Sequence, residues 1–128
     1  MDTREFACAT AQFLDDKLAK DIKILNISHV SSLADYFVIA TGDSTPQVKA
    51  LMENVKDKVK KTFSKLPLRT ENDQKNRWNL LDYGDVVIHI LHKEERETYA
   101  LEKFWSHAFS ITEDEWHEIA KKYSEYKK

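Results

Sequence analysis

One segment constrains the fold of this chain more than any other: Ala34-Asp35-Tyr36-Phe37-Val38-Ile39-Ala40-Thr41. A nearly continuous apolar run of strand length is stable only in a sheet covered on both faces, so these residues predict a central strand. The neighbouring segments can supply the cover. Phe6, Thr10, Phe13, Leu14, Lys17 and Leu18 fall on or near one helical stripe, with Ala7, Ala9 and Ala11 favouring helix, which predicts an amphipathic helix over residues 3–20. The β-branched stretch 22–27 reads as a strand whose apolar pattern slips at Ile24-Leu25, predicting a bulge or burial on both faces.

After Gly42 come two overlapping helix starts. Ser44 with Gln47 matches a capping box, and Thr45 followed by Pro46 fits a cap with proline at the first helical position. Val48, Leu51, Met52, Val55, Val59 and Phe63 then recur at spacings of three and four, predicting a helix over 45–64 packed on the sheet. Residues 67–71 read as a short strand, 72–76 as a polar turn, and 77–91 as a hairpin bent at Tyr83-Gly84. Glu94, Glu95 and Glu97 suit the start of a helix with Tyr99, Leu101, Phe104, Trp105 and Ala108 on its apolar side. A last short helix opens at Thr112, with Thr112 and Glu115 as a capping box and Trp116 as its docking residue. The order predicts an α/β fold, a single domain with a mixed sheet flanked by helices.

Composition narrows the function. The chain has 128 residues, room for a single core that needs no disulfide or metal to hold it. Its one cysteine, Cys8, lies at the apolar start of a helix and reads as a small buried side chain, and thiolate clusters are excluded. Twenty basic against 22 acidic residues give a formal charge of -2, which argues against a partner gripped mainly through bare phosphate. No run approaches the roughly 20 apolar residues of a membrane span, and Met1-Asp2-Thr3-Arg4-Glu5 lacks the pattern of a secretory signal, so a cytoplasmic protein is expected.

Catalytic constellations are scarce. Asp35, Asp82 and Asp85 could converge near a sheet edge and hold Mg²⁺ with a nucleotide, but aspartates flank turns because their side chains bond nearby amides. His89 and His92 do not share a strand face, and His29, His107 and His117 are scattered. Two glycines, Gly42 and Gly84, cannot build a phosphate cradle; Gly42-Asp43-Ser44 could hold one anion at a helix start, yet capping accounts for it. No catalytic residue, metal or cofactor is expected. The hairpin stands out instead. Alternation puts Trp78, Leu80 and Asp82 on one side and Asn79 and Leu81 on the other. Trp78 fits either a core or an interface, and Tyr83 at the turn tip is expected to be exposed.

Residues 32–42, Gln47-Val48 and the block 78–89, which reads WNLLDYGDVVIH, resemble the signature segments of the ribosome silencing factor family, also called Iojap or RsfS. Residues 92–105 resemble its closing helix. The resemblance covers residues 3–107, so 1–107 is expected to be the silencing-factor domain and 108–128 a helical extension. One departure is Asn72, which follows Glu71 where the family usually has glycine; asparagine tolerates the left-handed conformation such a turn requires.

The resemblance implies an α/β domain distantly similar to nucleotidyltransferases but without their catalytic set. It implies binding to ribosomal protein L14 of the large subunit, blocked joining of the small subunit, and translation lowered when nutrients are short. Organellar relatives imply a second role in large-subunit assembly. Joined to the residue pattern, it predicts a docking patch formed or supported by Trp78, Leu81, Asp82, Tyr83 and Asp85, with Asp35 and His89 holding the hairpin to the sheet. The rings and Leu81 would form an apolar centre and the aspartates would meet basic groups on the partner. Lys121, Lys122, Lys127 and Lys128 suit a solvated helix end or a peripheral contact with ribosomal RNA. A monomer or weak homodimer is expected, with a free sheet edge or the Trp105 and Trp116 region as any seam.

Overall fold

The computed structural model describes residues 2–72, 75–99 and 108–124. Helix α1 spans Thr3–Asp16, and Asp2 caps it by accepting from the Arg4 amide at 2.9 Å. It ends four residues before the predicted boundary. Leu18 takes φ +66°, and the amides of Lys17, Leu18 and Ala19 turn back onto the carbonyls of Leu14 and Asp15. Leu18 therefore leaves the apolar stripe and stands 77% exposed.

Strand β1, Lys20–Asn26, follows at once. Its register against β2 slips between Lys20 and Lys23, earlier than the sequence pattern indicates. The Ile24-Leu25 irregularity is burial on both faces, Ile24 packing with the cluster under the helices and Leu25 with the cluster on the other side. Strand β2, Tyr36–Gly42, is buried at every position, the central strand that the apolar run predicts. Helix α2, Thr45–Phe63, is capped by Ser44, whose hydroxyl accepts from the Gln47 amide. The Gln47 side chain accepts from Asp43 rather than closing a capping box on Ser44. Gly42 is required by packing, since a Cβ there would sit 2.9 Å from Val48 Cγ2.

Strand β3, Arg69–Asn72, leads to β4, Trp78–Asp82, and β5, Val86–His92. Asn72 closes β3 opposite Asn79 without a left-handed backbone, and among the described residues of this connection Asn76 takes that conformation, at φ +54°. Helix α3, Lys93–Tyr99, follows β5; of the apolar side expected for it, Leu101, Phe104 and Trp105 lie outside the described residues, and Ala108 sits in a bend, packed against the Phe37 cluster. Arg96 anchors α3 through a 2.6 Å bond to the Thr41 hydroxyl and one of 2.7 Å to the Asp21 carbonyl.

The C-terminal segment holds an element the sequence does not announce. Strand β6, Phe109–Ile111, pairs antiparallel with β1 and precedes helix α4, Glu113–Ala120, and a short 3-10 turn, Lys121–Tyr123. The Thr112–Glu115 capping box forms as predicted. Trp116 is 1% exposed, so it docks α4 and offers nothing to a dimer seam. Arg4 pairs with Glu115, the Tyr123 hydroxyl donates to Glu5, and Ser124 donates to Asp16, binding the segment to α1.

The six strands run β3-β4-β5-β2-β1-β6, with β2 and β5 the parallel pair and every other pairing antiparallel. Helices α1, α2 and α4 bury one face around Phe6, Phe13, Leu14, Val55, Ile88 and Trp116. The other face has a smaller cluster of Leu25, Ile27, Phe37, Ile39, Val87 and Leu91, with Trp78 and Leu80 half-buried at its margin.

Candidate docking face on the edge hairpin

Register assigns each hairpin side chain to a face. Arg69, Asp82, Val87 and Phe37 form one row across β3, β4, β5 and β2, and Glu71, Leu80, His89 and Ile39 form the next. Trp78 lies opposite Leu91 in a third row. Trp78, Leu80 and Asp82 are half-exposed on this face, whereas Asn79 and Leu81 are wholly buried beneath α2. Leu81 therefore cannot supply the apolar centre expected of it. The leucine on the exposed side of the strand is Leu80, the residue that alternation groups with Trp78 and Asp82.

Tyr83 is a second correction. It lies at the turn, but only 9% of it is exposed, because the turn folds its ring under onto Phe6 in an edge-to-face contact of 5.4 Å. Burial raises its hydroxyl pKa to about 12. Gly84, at φ +92°, makes this turn possible, and the Asp82 carboxylate accepts from its amide at 2.8 Å. Asp82 also faces Arg69 at 3.7 Å, and Arg69 pairs with Glu71 at 3.0 Å.

Asp85 is exposed, and its backbone carbonyl accepts from the amides of Asp35 and Tyr36 at 2.8 and 3.0 Å. Asp35 thus holds the hairpin to the sheet through its backbone. No group of three or more His, Cys, Asp or Glu side chains among the described residues is arranged to hold a metal ion. Cys8 is fully buried, and burial raises its thiol to about 11.

His89 sits beneath the exposed face at 6% exposure. Its Nδ1 accepts from the Trp78 indole N–H at 3.2 Å, and its ring meets Phe37 edge-on at 4.7 Å. Burial lowers its pKa to about 4, so the ring is neutral at physiological pH. Buried polar atoms lacking a hydrogen-bond partner, among the described residues, are Asn79 Oδ1, the Tyr83 hydroxyl and His89 Nε2. All three belong to this hairpin.

The edge strand adds to the face. All four β3 residues are exposed, and Glu71, Asn72, Trp78 and Leu80 line an open cleft of about 470 Å³. Leu66 and Leu68, 68% and 78% exposed, precede β3, and the Leu68 amide bonds the Asp82 carbonyl. The sequence pattern marked neither leucine as a surface group.

A mixed six-stranded sheet flanked by helices, with Trp78, Leu80 and Asp82 half-exposed beside its β3 edge, defines a single α/β domain. Comparison with known proteins gives it a family. The family model described as "Ribosomal silencing factor during starvation" matches residues 1–128, and the chain belongs to that family. It is 39% identical over 108 residues to "Ribosomal silencing factor RsfS" of Bacillus subtilis, an alignment covering 84% of this chain and 91% of that one. A crystal structure of a Chromobacterium violaceum protein superposes with a TM-score of 0.78 at 35% identity, covering 83% of this chain and 88% of that one. "Mitochondrial assembly of ribosomal large subunit protein 1" of Mus musculus is 34% identical over 90 residues, 69% of this chain and 40% of the mouse protein.

Proposed function

We propose that this protein silences ribosomes by docking the Trp78–Leu80–Asp82 face on ribosomal protein L14 of the large subunit, so that the small subunit cannot join. The family match along the whole chain carries the silencing role, and translation is what such a factor represses. The half-exposed row supports the location. It offers a tryptophan and a leucine as apolar anchors, flanked by Asp82 and Glu71 for basic groups on a ribosomal protein, whereas Asp85 lies beside Phe6 and Tyr83 on the helix side. Repression by overlap needs no chemistry, and an interface of ordinary size, on the order of 1,200 to 2,000 Å² in total, is enough.

A subunit-joining assay tests the reading. Separated large and small subunits are mixed at joining concentrations of Mg²⁺ and followed by light scattering, with and without the protein. Preincubation with the large subunit should suppress joining, and preincubation with the small subunit should act only after the protein has transferred. Unchanged joining at saturating protein would exclude the silencing mechanism.

The mouse relative favours a second reading, escort of a large-subunit precursor by the same face. Enrichment on immature particles over mature subunits in gradient fractions would support it.

A further inference from the structure

We infer that His89 is a positioning residue: by accepting the Trp78 indole N–H, it fixes the orientation in which Trp78 meets a partner. This inference rests on the docking face proposed above. The arrangement is hard to explain by packing. His89 lies in a row with Leu80 and Ile39, touches Phe37, and is 6% exposed, surroundings in which leucine would lose nothing. The imidazole leaves a defect as well. An indole N–H can only donate, so Nδ1 must accept, and the single proton of the neutral ring is then on Nε2. That atom is buried, and no protein group among the described residues accepts its proton.

Nor does the bond rescue Trp78 from an unmet need. Trp78 is half-exposed on β4, the strand next to the edge, so its N–H is not a fully buried donor that must find a protein partner. What His89 adds is therefore choice of orientation. The indole is held with its N–H inward and its ring tilted 56° to the imidazole at a centroid separation of 6.0 Å. Because burial keeps the ring neutral, the acceptor is present throughout the physiological pH range. A large side chain fixed before contact loses less rotamer freedom on binding, which is how preorganisation raises affinity.

Two variants separate positioning from packing. His89→Leu keeps an apolar body of similar bulk and removes the acceptor. His89→Asn places a carbonyl oxygen close to where Nδ1 lies and restores it. Each is purified full-length and checked for cooperative unfolding. The Trp78 indole N–H resonance is then assigned in ¹H–¹⁵N spectra with Trp78→Phe, and affinity for isolated large ribosomal subunits is measured by pelleting.

His89→Leu should stay folded, shift the Trp78 indole resonance upfield and weaken binding by about tenfold, the scale of losing a well-placed anchor. His89→Asn should return both readouts most of the way. A folded His89→Leu protein whose resonance is unmoved, or whose binding matches wild type, overturns the inference. If wild type itself fails to bind large subunits, the docking reading fails first and the positioning role falls with it, a result distinguishable because no variant is needed to see it.

Discussion

His89 gives the clearest link between one side chain and a measurable property of this molecule. Burial holds its folded-state pKa near 4, below the ordinary imidazole value of about 6.5. Between those two values the unfolded chain binds a proton that the folded chain refuses, so stability falls as pH drops through that window. The loss should approach, on the order of, 3 kcal/mol at the acid end of the window. Urea unfolding near pH 7 and near pH 4.5 measures it, and His89→Leu should flatten the dependence; an equal loss in that variant would assign the effect to other groups. Tyr83 shows the limit of reading single residues from sequence. A tyrosine at a turn tip is exposed by default, and nothing near it in the chain says that Phe6, 77 positions earlier, lies beneath it.

Among the elements, the β4–β5 hairpin was the most legible. Alternation fixed which side chains share a face, and Tyr83-Gly84 marked the bend. What alternation cannot supply is which face the helices cover, and that face decides whether Leu80 or Leu81 is buried. The bend depends on Gly84, whose left-handed backbone would strain any larger residue and whose added Cβ would meet Leu68 at 3.4 Å. Gly84→Ala should cost about 1–3 kcal/mol in thermal or chemical unfolding, and a neutral result would mean that the turn relaxes without its left-handed residue. Strand β6 was illegible because three residues with one buried side chain show no period. Its partner element α4 was legible through its capping box and Trp116. Trp116 is buried against the α1 side of the sheet, so Trp116→Ala should lose about 3–5 kcal/mol of stability. A loss well under 1 kcal/mol would show that residues 108–124 are dispensable to the fold.

Taken whole, the molecule divides its sheet unequally. One face is sealed by α1, α2 and α4, while the β3–β4 edge and the segment leading into it leave a tryptophan, three leucines and the carboxylates of Glu71 and Asp82 within reach of solvent. The division explains why fold and function came from different parts of the sequence. Hydrophobic period and caps predicted the layers, because burial obeys general rules. A docking face has no period of its own; its residues are ordinary strand residues that happen to stay uncovered, so only the long family blocks at 32–42 and 78–89 pointed to a partner. Co-sedimentation with isolated large ribosomal subunits tests the central claim most directly, comparing wild type with a folded Trp78→Ala variant at micromolar concentration and low salt. Wild type should pellet with large subunits and not with small ones, and Trp78→Ala should stay in the supernatant; absence of wild type from the pellet, or equal pelleting of the variant, would rule out docking through this face.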